Sequence, residues 1–202
     1  MQIGPMNPWL SMWSQPRTTI RFIIQTNPGH GVFWLSAIYL FHLLFVFSNF
    51  YSMGLNVSFY LIFVGILALS FPLGIAWLYF MGWILHFTGK WLHGKAPASY
   101  LRASLAWSMV PYTICVLMWL ILMVGNSDLV FIQSASGTSL VFINLITFIL
   151  GLWAFILLIQ SVREVQSFSP LRALANVLLY AVVSTLFLIV LWLILGFVFL
   201  VF

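Results

Sequence analysis

The sequence predicts an all-α fold: a polytopic membrane helix bundle of five transmembrane helices, with a short N-terminal interfacial amphipathic helix. Three observations lead there. Hydrophobic residues fill 64% of the 202 positions and charged residues only 4%, where a soluble domain carries about 25% charged residues. Five stretches, 31–52, 57–86, 105–125, 139–162 and 173–202, contain no Lys, Arg, Asp or Glu, and a hydrocarbon core needs roughly 20 helical residues to cross it. All seven Lys and Arg fall before the first stretch, between the second and third, or between the fourth and fifth, which places them on one side.

Residues 1–30 form a cytoplasmic N-terminal segment in this reading, ahead of a transmembrane domain at 31–202. Within it, 15–26 is expected to be a short amphipathic helix. Pro16 suits a first helical position, Ile20, Ile23 and Ile24 share one face, and Arg17 and Arg21 share another. Such a helix lies in the headgroup plane, with Trp9 and Trp13 as interfacial anchors. The first apolar stretch starts near residue 31 and is too long for a signal-peptide core, so the segment is expected to persist in the mature protein.

The first span carries Tyr39, His42 and Asn49 along one helical face. The second, close to 30 residues long, exceeds one crossing, and Ser70, Pro72 and Gly74 supply a local cause for a kink. At its cytoplasmic end His86, Lys90 and His93 form a solvated interfacial cluster with too few ligands for a structural zinc, and Lys95 and Arg102 follow in the connection. The third span contains the single Cys115, which cannot close an intramolecular disulfide. The fourth carries Asn144 and Thr147; the fifth carries Asn176, Tyr180 and Ser184. Between them, Arg163 and Glu164 precede Ser169 and Pro170, placed as N-cap and first helical residue. Glu164 is expected to neutralise Lys95, Arg102 or Arg172 and so tie the two helical hairpins together. A weak echo at an offset of 70, Ser99, Leu101, Arg102 and Ala103 against Ser169, Leu171, Arg172 and Ala173, suggests that those hairpins repeat.

Orientation follows from the connections. Arg17 and Arg21 precede the first span, Lys90, Lys95 and Arg102 separate the second from the third, and Arg163 and Arg172 separate the fourth from the fifth. The connections 53–56 and 126–138 hold no Lys or Arg. The positive-inside rule makes the basic side cytoplasmic, with Phe202 outside.

Composition also limits the chemistry. Asp128 and Glu164 are the only carboxylates, which argues against paired-carboxylate hydrolysis, oxygen-ligand metal sites and carboxylate proton relays. No enzymatic activity, cofactor, metal or nucleic-acid partner is expected. The expected partners are the bilayer, acidic lipids at the cytoplasmic face, and a membrane protein or a second copy of the chain. Candidate binding residues on that face are Arg17, Arg21, Lys90, Lys95, Arg102, Arg163 and Arg172. The intramembrane polar candidates are Tyr39, His42, Asn49, Asn144, Asn176 and Tyr180, because an unsatisfied polar group in lipid is costly.

Several short motifs occur in a consistent order: Asn7-Pro8-Trp9, Trp13-Ser14-Gln15-Pro16-Arg17 and Asn27-Pro28 before the first span; His86-Phe87-Thr88-Gly89-Lys90, Gly94-Lys95, Ser99-Tyr100, Arg102 and Ala106-Trp107-Ser108 to Pro111 in the middle; and Arg163-Glu164-Val165-Gln166 with Arg172-Ala173 later. Together they resemble the prokaryotic branch of the Yip (Ypt-interacting protein) domain family. The resemblance implies five spans and a cytosolic N-terminus, in agreement with the charge count. Eukaryotic members sit in early secretory membranes, bind Rab-type GTPases and form complexes with one another. This sequence lacks their long hydrophilic N-terminal region and their Asp-Leu-Tyr-Gly-Pro motif. The resemblance therefore implies a bacterial inner membrane rather than Rab binding. Two functions stay open: a non-enzymatic scaffold or adaptor in membrane organisation or trafficking-like processes, and a small transporter or lipid-handling protein.

The charge distribution generates a topology test. Single cysteines at Ser99 and Ser167 are expected to label only from the cytoplasm, and at Ser127 or Ser136 only from outside. Labelling of both pairs from one side contradicts five spans.

Overall fold

A computed structural model describes residues 6–125, 130–135 and 137–201. Ser127, Asp128, Ser136 and Phe202 lie outside the described residues. Among those described, the chain forms eight α-helices: α1 Pro8–Ser14, α2 Pro16–Thr26, α3 Val32–Phe50, α4 Phe59–Trp91, α5 Ala98–Ser108, α6 Tyr112–Gly125, α7 Gly137–Val165 and α8 Pro170–Val201. Helices are the form that satisfies every backbone group within one segment in lipid. Four of them, α3, α4, α7 and α8, are long and apolar enough to cross a membrane, and α5 with α6 make a fifth span bent by 43°.

The bent span departs from the expected helix at 105–125. Its break falls at Met109, Val110 and the buried Pro111, which has no N–H and disfavours helical geometry at the residue before it. The chain crosses the break on tighter i−3 hydrogen bonds: the Tyr112 amide donates to the Met109 carbonyl (3.0 Å), Thr113 to Val110 (3.1 Å) and Ile114 to Pro111 (3.1 Å). By contrast α4 runs unbroken through Pro72, which faces outward. The neighbouring Gly74 has a different task from the kink expected of it. A Cβ there would lie 2.9 Å from the Ala37 backbone nitrogen and 3.0 Å from the Ser36 carbonyl carbon. Glycine is required where α3 and α4 touch backbone to backbone, the small-residue contact common between membrane helices.

The interior divides into two cores. At one end Phe45 stacks on Phe131 (5.6 Å) and Trp119 (6.0 Å), with Ile62, Ile66 and Ile143 around them. The two connections that lack basic residues meet here. Asn49 Nδ2 donates to the Val130 carbonyl (2.9 Å), and the Gln133 amide donates to Ser52 Oγ (3.1 Å). At the other end Leu35, Leu78, Leu85, Leu101 and Trp107 form a core completed by Met12, Ile20 and Ile23 from α1 and α2.

That contribution adds to the reading of the N-terminal segment. It holds two helices, and the apolar face of the expected amphipathic helix, α2, packs against α7 and α5. Ile20 and Ile23 are fully buried, and each such side chain is worth about 1.5–3 kcal/mol on burial. Trp9 packs edge-on against Trp107 at 5.5 Å, so its ring is held by protein as well as exposed at the surface.

Glu164 fixes α2 from the opposite side. Arg17 Nε donates to Oε2 at 3.0 Å and its Nη2 lies 2.9 Å from the same oxygen; Arg21 Nε donates to Oε1 at 2.7 Å, with its Nη2 on that oxygen too. Arg17 and Arg21 are one turn apart on α2, so a single carboxylate at the end of α7 takes both. This overturns the expectation that Glu164 would pair with Lys95, Arg102 or Arg172.

The helix ends here are built for sharp turns. His93 at φ 64 and Ser167 at φ 52 occupy the left-handed position after α4 and α7. Each closes a Schellman pattern, through Gly94 N–H to Gly89 (2.9 Å) and Phe168 N–H to Arg163 (3.0 Å). The offset-70 echo does not map onto equivalent positions, however. Ser169 sits just before α8, whereas Ser99 lies inside α5, which starts after Pro97.

Glu164→Gln is expected to cost about 1–2 kcal/mol, between an exposed pair and a buried one, because the Arg side chains stay half-exposed. Trypsin cutting after Arg17 and Arg21 in the detergent-solubilised protein should accelerate several-fold. Unchanged cleavage contradicts the clasp.

Candidate functional site

The polar groups gather at two levels. The first is the basic end. Arg17, Arg21, Lys90, Lys95 and Arg172 are exposed, while Arg102 and Arg163 are half-buried. Arg102 leaves the exposed set because its guanidinium sits 4.5 Å over the Tyr79 ring and its stem fills the space opposite Gly82, where a Cβ would come within 2.5 Å of Cγ. A cation on an aromatic face gains about 0.5–1 kcal/mol at such sites. Arg17 and Arg21 share one carboxylate, so the three side chains together still carry +1.

The two hairpins are tied at this end, through amides rather than charges. Gln166 caps α7 and turns its side chain into the connection after α4, where Oε1 accepts from the Ala96 N–H at 3.0 Å. Its amide lies flat on two glycines: a Cβ at Gly89 would meet Nε2 at 2.6 Å, and one at Gly94 would meet Oε1 at 2.5 Å. Beside it the Thr88 hydroxyl donates to Asn176 Oδ1 at 2.8 Å, joining α4 to α8. Glu164 and Gln166 are two residues apart, about 200° around a helix. One therefore reaches α2 and the other reaches α4. Glu164 was visible in the sequence as the lone carboxylate on its side, while Gln166 and Thr88 stood only as members of the ordered motifs, which gave no sign of the groups they bond.

The second level lies within the membrane spans. Tyr39 on α3 packs against Trp77 (4.7 Å) and Tyr112 (5.0 Å), and His42, one turn on, lies 5.2 Å from Tyr112. His42 is buried, and its Nδ1 has no hydrogen-bond partner among the described residues. Tyr112 follows the break at Pro111, and its hydroxyl points at Gly151, whose Cβ would lie 3.1 Å away. A cavity of about 170 Å³ adjoins it, walled by Tyr112, Gly151, Ala154, Val177 and Tyr180. Tyr112 was absent from the expected set; its position directly after a proline in a span was the available clue.

The six intramembrane candidates thus separate. Tyr39, His42, Asn176 and Tyr180 face the interior, and Asn49 is spent on the Val130 carbonyl at the end without basic residues. Asn144 does not join them. It is exposed on α7, because Ile143 takes the inward position beside Phe45 and Trp119. His86 is half-buried and Lys90 and His93 are exposed, and no group of three or more metal-ligating side chains occurs among the described residues.

The family model described as the Yip1 domain matches residues 10–200. No curated protein and no solved structure matches the chain.

Replacing Gln166 by Ala removes the Ala96 bond and the cover over Gly89 and Gly94. Interhelical hydrogen bonds in membranes average about 0.6 kcal/mol, and the lost packing adds to that, so a loss of about 1–2 kcal/mol is expected in an SDS unfolding titration. A neutral Gln166→Ala would show that the amide tie carries no stability.

Proposed function

Because the chain belongs to the Yip1 domain family, we propose that it works as a non-enzymatic scaffold or adaptor of a bacterial inner membrane. In this reading the N-terminus and the basic end face the cytoplasm, the C-terminus faces outside, and the seven basic residues gather acidic lipid or a membrane-protein partner, a second copy included. The observation that carries the reading is the use made of Glu164. The one carboxylate among the described residues is occupied by two arginines in holding α2 to α7, so it is not free for acid–base chemistry. Other polar groups in the bundle are spent likewise, on Val130, Ala96 and between Thr88 and Asn176. Each Lys or Arg near an anionic surface contributes about 1 kcal/mol of attraction, which favours acidic lipid at the exposed Arg17, Arg21, Lys90, Lys95 and Arg172.

A second reading, a small transporter or lipid-handling protein, draws on the cavity beside Tyr112 and Tyr180 and on the His42 Nδ1 that has no hydrogen-bond partner among the described residues. Intramembrane ionisable groups mark pathways often enough to make this the competing account. The two readings part on His42→Ala. A scaffold is expected to lose about 1 kcal/mol of stability at most and to show no flux of protons, ions or lipid in liposomes with or without the substitution. Flux in the wild type that vanishes in a stably folded His42→Ala protein overturns the scaffold.

A further inference from the structure

We propose that the elbow between α1 and α2 forms, with α7, a discrete seat for one anionic glycerophospholipid of the phosphatidylglycerol type. The proposal rests on reading the basic end as a surface that gathers acidic lipid, and narrows it to a single site. The seat is a cavity of about 430 Å³ between residues 13–18 and the last turns of α7, within the roughly 300–1,000 Å³ typical of small-ligand sites.

Its lining is divided in the way an amphiphile is. Arg17, Gln15 and Ser14 supply the polar wall on the elbow, and Gln160 supplies it on α7. Trp153 and Ile156 supply the apolar wall. Arg17 spends Nε and Nη2 on Glu164, and a guanidinium has five N–H donors, so Nη1 keeps two for another acceptor. Because Glu164 is shared between Arg17 and Arg21, the clasp remains cationic, and the adjacent Arg163 adds to it. A phosphodiester finds there the charge-assisted donors it needs.

The other polar lining groups are hydroxyls and amides, which suit the hydroxyls of a glycerol headgroup. No carboxylate lines the cavity, so the ammonium of an ethanolamine headgroup would have no anion to meet and would face Arg17 instead. That distinction selects phosphatidylglycerol over phosphatidylethanolamine.

The acyl chains have a path away from the seat. Trp153 and Ile156 stand at its mouth, 38% and 43% exposed, and the same side of α7 continues with Leu152 and Ile149 at 50% and 56%. These are the residues toward the middle of the span. A lipid with its phosphate beside Arg17 would lay its chains down that stripe, past Trp153. A free phosphate or a soluble diester would leave this apolar wall uncovered.

The test uses the full-length protein in mild detergent, with native mass spectrometry after exchange into defined phosphatidylglycerol and phosphatidylethanolamine mixtures. The wild type is expected to retain one phosphatidylglycerol and to prefer it over phosphatidylethanolamine by about tenfold. Gln160→Trp fills the cavity and leaves the clasp and all seven basic residues in place; it should weaken that retention by about tenfold or more. Ile156→Trp provides an independent filling, and trypsin resistance after Arg17 and Arg21 reports that α2 is still docked. The triple change Lys90→Gln, Lys95→Gln and Arg172→Gln should strip loosely held lipid and spare the one retained molecule.

If both filling variants keep α2 docked and still hold the lipid, the seat is refuted. If only the triple change releases lipid, the general basic-face reading survives and the seat does not. If the wild type retains no phosphatidylglycerol, both fail. Displacement of the lipid by millimolar glycerophosphoglycerol would overturn the assignment to a membrane lipid.

Discussion

One carboxylate holds the architecture of the basic end. Glu164 closes the end of α7 and receives both arginines of α2, which turns a short amphipathic helix from a surface float into a packed part of the bundle. Its side chain is only 10% exposed while those of Arg17 and Arg21 are about half exposed. Removing the carboxylate would therefore leave two like charges facing each other one helical turn apart. The pairing works together with Ile20 and Ile23, which bury on the other side of α2. Neither element is strong alone: an 11-residue helix is marginal in water, and a partly exposed ion pair contributes little.

From that fixed point the rest of the basic end follows by register. Gln166, two residues on, points the other way and locks the turn after α4. Phe168 and Ser169 then lead into α8, where Asn176 meets Thr88. Trp107 on α5 closes the remaining side by donating from Nε1 to the His30 carbonyl at 3.0 Å. It lies against Gly31, which takes φ 69 to begin α3 and where a Cβ would come within 3.1 Å of the indole. The N-terminal helices are thus bound to α5 and α7 at once.

The sequence made part of this legible. Spans are read from length and the absence of charge, and their orientation from the alternation of connections with and without basic residues, because both signals add up over many residues. Single contacts do not add up in that way. A helix apolar on every side gives no sign of which face is inward, so Asn144 reads like Asn176 although one faces out and the other is buried. The kink was expected at Pro72 and none at Pro111, yet Pro111 interrupts its helix while α4 continues through Pro72. The partner of Glu164 was beyond charge counting, since every basic residue on that side was eligible and only the helical phase of 164 relative to α2 selects two of them.

The docking of α2 is the central claim, and a charge-reversal cycle tests it most directly. Unfolding free energies would be measured for Glu164→Arg, for Arg17→Glu with Arg21→Glu, and for the combined protein, in the same detergent. If the three side chains interact as described, the combined protein regains a substantial part of what the separate reversals lose, a coupling of about 1 kcal/mol or more. Strictly additive losses would mean that Glu164 does not hold α2, and the account of the basic end would be wrong.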